Sequence, residues 1–352
     1  MSLSEDKIQI NIAMIGAGYW GPNLIRNFVE MSRAKLVAVA DLDINRLDAI
    51  QRRYPTIKMT TTDYRELFRL ENLDAVVIAT PPTTHRDIAR ECMLHGLHVM
   101  VEKPLTLSVE ESQELVDLAK ERNLKLMVGH TYEYNAAIRA IKDIIESGEI
   151  GEVYYVDSVR TNLGLFSNKI NVMWDLAPHD ISVLHFLFGE MPNQISATGK
   201  ANIVPNIHDI VYMHMDFPSG ISAHLRASWL DPQKVRQLTV VGSKKMLVFD
   251  DVASLEKIKI YDKGVETLPY TETYKEFHLS YRYGDIVIPN ISFVEPLRVE
   301  CEHFVDSILL DSAPQTDGIN GLRVVSVLEA AQRSLENQGK MMPIELDEKY
   351  TT

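Results

Sequence analysis

Hydrophobic and polar positions alternate in blocks along the first third of the chain. Residues 8–16, 35–41, 74–80, 98–103 and 125–130 are short apolar runs rich in β-branched side chains. Between them, residues 21–31, 44–54, 85–96 and 108–123 repeat their apolar positions at a helical period. Strands apolar on both faces, alternating with amphipathic helices, predict a parallel sheet covered on both sides. Helix ends are readable too. Ser108 with Glu111 three residues on forms a capping box, and Gly96 closes the preceding helix.

The pattern changes after about residue 150. Residues 152–164, 193–203, 209–217, 221–230, 236–243 and 245–251 alternate apolar with polar and are separated by Gly, Pro and Asn. Successive strands without intervening helices predict a mostly antiparallel sheet. Helical stretches at 174–189, 296–310 and 319–338 interrupt and follow it. The expected class is α/β: a dinucleotide-type domain over residues 1–130, then an α+β domain over residues 131–352. No internal repeat or low-complexity linker is visible.

Composition narrows the function classes. A net charge of −13 repels nucleic-acid backbones and anionic lipid, so neither is the expected partner. Two distant cysteines, Cys92 and Cys301, make no disulfide framework and no metal spacing. The N-terminal stretch lacks a basic n-region and reads as a first strand. No run reaches the ~20 apolar residues of a membrane span. A cytoplasmic protein is expected.

Chemistry begins where the first strand ends, in Gly16-Ala17-Gly18-Tyr19-Trp20-Gly21. Gly16 permits the tight turn, Gly18 lets backbone approach a pyrophosphate, and Gly21 lets the helix pack close to the strand. The helix N-terminus presents amides to the phosphates, and Pro22 fits its first turn. Tyr19 and Trp20 lie within this turn and are candidates for cofactor contact. The second strand ends in Asp41, placed to bond adenosine ribose hydroxyls. Its carboxylate would repel a 2′-phosphate, which favours NAD over NADP, although Arg46 is near enough in sequence to blur that preference. The strand at 74–78 leads into Thr80, Pro81 and His85. Ligands of open α/β sheets bind at the carboxyl ends of strands, so these three are candidate cofactor contacts; His85 would equally serve the following helix.

The glycine turn, Asp41, the "ATPPTTH" loop, "EKP" at 102–104 and "WDLAPHD" at 174–180, in this order, resemble the Gfo/Idh/MocA family. The resemblance covers nearly the whole chain. It implies a Rossmann domain plus an open-faced, mostly antiparallel sheet that serves for oligomerisation, giving a homo-dimer or homo-tetramer. It implies a nicotinamide-dependent sugar or inositol oxidoreductase. Within the family the chain is most similar to the branch that oxidises nucleotide-activated amino sugars such as UDP-GlcNAc at C3. One departure is visible: Met173 and Trp174 stand where many members carry a glycine pair. Trp174 would narrow the pocket or stack on a ring.

Moving a hydride from a carbinol to nicotinamide requires removal of the hydroxyl proton by a positioned base. Lys103 is one candidate, if burial and a nearby NAD⁺ lower its pKa from about 10.4. Glu102 would hold the lysine or the carboxamide side of the cofactor, and the resemblance suggests a cis peptide before Pro104. His179 is the other candidate. Asp175 lies four residues before it and would share its helix face, fixing the tautomer. Asp175 would alternatively be the helix N-cap, with Pro178 in the first turn. Lys103 and His179 both remain open as the base. Asn135 is a candidate at the nicotinamide end; Arg160 and Asn162 are candidates for a sugar or phosphate, or strand-surface residues. His185 falls on an apolar helix stripe and reads as core. The tyrosines at 281 and 283 would stack on a base. No histidine–acid cluster makes a metal site. Two other readings stay in view: a free-sugar or inositol dehydrogenase, and a non-catalytic NAD-bound sensor.

Overall fold

Strand β1 (Ile10–Ile15) is buried along almost its whole length and is flanked on both sides by parallel partners. It is followed by α1 (Gly21–Glu30), β2 (Ala34–Ala40), α2 (Ile44–Arg53) and β3 (Met59–Thr61). Next come β4 (Ala75–Ile78), α3 (His85–Leu94), β5 (His98–Glu102), α4 (Val109–Glu121) and β6 (Leu126–Gly129). These six strands form one parallel sheet in the order β3-β2-β1-β4-β5-β6. The order reverses between β1 and β4, the switch point where open α/β sheets bind ligands. Ser108 caps α4 as expected, its Oγ accepting from the Glu111 amide at 3.2 Å. The three-residue β3 at the sheet edge was not anticipated, being too short to show a period.

The second sheet is longer than its sequence pattern suggested. After α5 (Ala136–Glu146), β7 (Val153–Thr161) and α6 (Val172–Phe188), the chain runs through β8 (Gln194–Lys200), β9 (Ile210–Asp216) and β10 (Ser222–Ser228). It continues with β11 (Val235–Gly242), β12 (Met246–Asp250), β13 (Ile258–Thr267) and β14 (Leu279–Val287). Helices α7 (Pro296–Leu309) and α8 (Gly318–Glu336) precede β15 (Met342–Pro343). Nine strands pair in the order β14-β13-β12-β11-β7-β10-β9-β8-β15. All neighbours are antiparallel except β7 and β10.

The computed structural model describes residues 9–164, 166–267 and 279–350, and they fall into two units. One contains the chain up to Tyr134, Val294–Glu329 and the residues from Leu346; the other contains Asn135–Phe293 and Ala330–Glu345. A single division after residue 130 therefore needs correcting, because residues 294–329 return to the first unit. The reason is apolar burial. Leu297, Cys301, Phe304 and Val305 of α7 join Ile12, Met14, Leu24 and Phe28 in one core. Arg26 of α1 also pairs with Glu295, the residue before α7.

Candidate functional site

In the first unit, the carboxyl ends of β2, β1, β4 and β5 lie side by side along one edge of the sheet. Gly16 takes φ +99°, and a Cβ there would come within 2.6 Å of the Ala79 carbonyl oxygen beyond β4. At Gly21 a Cβ would run into the carbonyl oxygen of Gly16. The turn thus requires glycine at both positions. Helix α1 then opens with no side-chain cap and no acid in its first turn, leaving its positive end to an anion. Tyr19 is almost fully exposed on this turn. Trp20 is partly exposed beside it.

Asp41 is held rigidly. Its Oδ2 accepts from the Ala17 amide at 2.6 Å and its Oδ1 from the Asp43 amide at 2.8 Å. The Arg46 guanidinium stands 3.5 Å from Oδ2, so an acid and a base both flank the ribose position. Thr80 and the exposed Pro81 follow β4, and Thr80 Oγ1 lies 2.8 Å from Thr84 Oγ1. His85 corrects an expectation. It is fully buried, with Nδ1 2.8 Å from the Pro104 carbonyl and Nε2 2.9 Å from the Thr80 carbonyl. Burial pushes its pKa down. It ties the β4 loop to the β5 loop rather than presenting an imidazole to a ligand. Beyond β5, the half-buried Lys103 is joined to Pro104 by a cis peptide.

The second unit carries the remaining candidates. Asn171, not Asp175, caps α6, its Oδ1 accepting from the amides of Met173 and Trp174. The helix starts four residues earlier than that alternative required, and Pro178 lies inside it. Asp175 instead accepts from the buried Trp229 indole at 2.9 Å. His179, half-buried, follows one turn later. Trp229 was missed by sequence reading, since nothing local links it to Asp175.

Three further expectations change. Arg160 is neither a surface charge nor open to a ligand: it is 5% exposed, with Nε 2.6 Å from Asp180 Oδ2. Ser158 completes that pair, donating to Asp180 Oδ1 at 2.8 Å. Trp174 is buried in the first turn of α6, so its ring offers no open stacking face. Asn135 caps α5 by accepting from the Ala137 amide, which ties its carbonyl to the helix end and turns its amino group to a ligand role. Asn162 is half-buried past the end of β7, and its amide donates to Ser228. His185 is half-buried, 3.3 Å from the Glu190 carbonyl, and Tyr281 and Tyr283 are exposed on β14.

Residues 10–130 match the oxidoreductase family, NAD-binding Rossmann fold, and residues 138–248 match the GFO/IDH/MocA C-terminal domain. The chain belongs to the Gfo/Idh/MocA family. It is 26% identical to UDP-N-acetylglucosamine 3-dehydrogenase of Acidithiobacillus ferrooxidans, over 91% of this chain and 95% of that one. It is also 26% identical to scyllo-inositol 2-dehydrogenase (NAD(+)) of Bacillus subtilis, over 97% of each. An oxidoreductase from Agrobacterium radiobacter, solved with NAD+, L-tartaric acid and magnesium, shares the fold. Its TM-score is 0.79 at 20% identity, over 96% of this chain and 98% of that one. As a Gfo/Idh/MocA member, the protein is an oxidoreductase with an NAD-binding Rossmann domain. The site fits that cofactor: the glycine cradle and the uncapped α1 suit a pyrophosphate, and Asp41 suits ribose hydroxyls. Among the described residues, no helix is long and apolar enough to cross a membrane.

Proposed function

We propose that this protein oxidises a sugar carbinol, at C3 of a nucleotide-activated amino sugar such as UDP-GlcNAc. NAD supplies the hydride acceptor. Gly16, Gly18 and Gly21 with the start of α1 hold its pyrophosphate; Asp41 holds the adenosine ribose; Thr80, Pro81, Glu102 and Asn135 are further contacts. The hydroxyl proton goes to Lys103 or to His179. The observation that carries this reading is the Trp229–Asp175 hydrogen bond one turn before His179. A fixed carboxylate beside an imidazole orients it and raises its basicity. The likeness to UDP-N-acetylglucosamine 3-dehydrogenase supports the substrate class. Equal identity to an inositol dehydrogenase supports the second reading, a polyol or free sugar.

The test is NADH absorbance with NAD⁺ and a panel of nucleotide sugars, free sugars and inositols, with an aminotransferase coupled to draw off a 3-keto product. Turnover on inositols or free sugars alone removes the nucleotide-sugar reading. Cofactor binding with no turnover on any substrate would point to a sensor. Lys103→Ala and His179→Ala should each lower kcat by roughly 10²–10⁴-fold while NAD binding persists. Normal turnover in both variants discards the proposed chemistry. We also propose that the nine-stranded sheet mediates a homo-dimer or homo-tetramer. Tyr155 and Tyr212 stand exposed on one face of it, in registers linked through β10. Light scattering showing a monomer would overturn this.

A further inference from the structure

The nine-stranded sheet carries two histidines that cofactor binding and proton transfer do not use. Antiparallel pairing sets His224 of β10 directly opposite His214 of β9. In the same cross-strand row, Ser196 of β8 lies opposite His214, and Asp157 of β7 opposite His224. Directly opposed residues share one face of a sheet, with their side chains in contact range. His224 is exposed there and His214 is half-buried. The two are ten residues apart in the chain, so no ligand spacing shows in the sequence; the register brings them together.

The ring of His214 is held in one orientation. Its Nε2 stands 3.1 Å from Asp216 Oδ1, two residues along the same face. An ionised carboxylate only accepts, so Nε2 carries the proton and Nδ1 keeps its lone pair. Asp216 is fixed in turn: Ser222 Oγ donates to Oδ1 at 3.2 Å and Gln194 Nε2 to Oδ2 at 2.8 Å. His214 Nδ1 lies 3.2 Å from His224 Nε2, with the ring centroids 4.8 Å apart. Two imidazole nitrogens bound at ~2.0–2.1 Å to one tetrahedral ion stand ~3.3–3.4 Å apart. The pair already has that bite to within ~0.2 Å. Asp157 and Asp216 make the row favourable to a cation. Arg226, two residues beyond His224 on the same face, turns to Asp231, 3.8 Å away.

We propose that His214 and His224 form a two-nitrogen site for a divalent transition-metal ion of the zinc type, with Asp216 as the acid that orients it. Without metal, His224 donates its Nε2–H to His214 Nδ1. On binding, that proton moves through solvent to the other nitrogen of the exposed His224 ring. Both facing lone pairs then go to the ion, and no net proton is released. A carboxylate behind a ligating imidazole fixes its tautomer and strengthens it as a ligand. Neutral imidazoles select zinc, nickel or copper over magnesium. Among the described residues no third ligating side chain joins the pair, so water fills the remaining positions. The ion clips β9 to β10; both nitrogens and the orienting acid come from one chain, so the site needs neither a second copy nor the cofactor.

The test is calorimetric titration of zinc into the full-length, chelator-treated protein at about pH 7.5, where imidazoles are neutral. No cofactor or substrate is present, so its failure is separate from failure of the proposed function. One ion per chain should bind with a Kd of about 100 μM or tighter, and magnesium should not bind. His214→Ala and His224→Ala should each weaken zinc at least about 10-fold, because each removes one of two protein ligands. Asp216→Asn should weaken it by roughly 10-fold through the lost orienting acid. Zinc weaker than about 100 μM, or bound equally well by both histidine variants, means an adventitious ion only and overturns the proposal. Unchanged affinity in Asp216→Asn overturns the orienting role. If His214→Ala does not fold, His224→Ala, which truncates an exposed ring, still decides.

Discussion

The two units bury charge in opposite ways. In the second, Arg160 and Asp180 face each other across β7 and α6, and Ser158 donates to the same carboxylate. That ion pair is matched and hydrogen-bonded. In the first, Glu300 of α7 is fully buried with one hydrogen bond, from Thr131, and its other oxygen has no partner. A matched pair keeps its charges and contributes fixed geometry. A buried acid without a cation resolves itself by taking up a proton. Sign and burial alone would class all of these residues together; the partners decide whether a site is rigid or titratable.

Breaking the matched pair should have the largest effect. Arg160→Met strands Asp180 and should cost about 3–5 kcal/mol in chemical denaturation, with Arg160→Met/Asp180→Leu recovering most of it. A cost under about 1 kcal/mol for the single variant would remove the pair's structural standing. Asp41 is a second well-partnered acid, this time at the cofactor edge. Asp41→Ala should weaken NAD⁺ binding roughly 10- to 100-fold by calorimetry and narrow the gap to NADP⁺. An unchanged preference would refute the ribose role.

The buried Glu300 predicts a pH signature instead. Glu300 keeps a proton in the folded state that the unfolded chain releases above its ordinary value of 4.5. The native state then binds more protons, so wild-type stability falls as pH rises through that value and beyond. Glu300→Gln removes this slope and should gain on the order of 1–2 kcal/mol over wild type at pH 8. Urea denaturation of both proteins at about pH 4.5 and about pH 8 checks it; a variant offset equal at both values contradicts the neutral acid. The smallest effect should come from Trp229→Phe. Losing the indole donor to Asp175 should cost about 1 kcal/mol. If His179 is the base, the variant should also displace the pH profile of turnover.

Legibility followed range. The glycine turn was readable because the clash that demands Gly21 is with Gly16, five residues away. Ser108 announced its own helix, and α5 carried an overlooked signal, with Ala137, Ile138 and Ile141 spaced to bury one face. Strands β13 and β14 gave less to read: β14 is exposed along most of its length, so it lacks the alternation that marks a half-buried strand. The roles of Arg160, His85 and Trp229 were hidden because their partners lie on other segments. An arginine in a strand reads as a surface charge until the opposing helix is seen to present an aspartate.

By itself, the sequence determined the alternation of strand and helix, the phosphate turn, and the acid at the end of the second strand. Each depends on backbone sterics or on periodicity within a few residues. Only the tertiary structure decided that α7 returns to the first unit, that Trp229 holds Asp175, and that Glu300 of α7 is buried against Thr131. These depend on which side chains share a low-dielectric space after folding. Burial and partnership are properties of that space, and no stretch of local sequence encodes them.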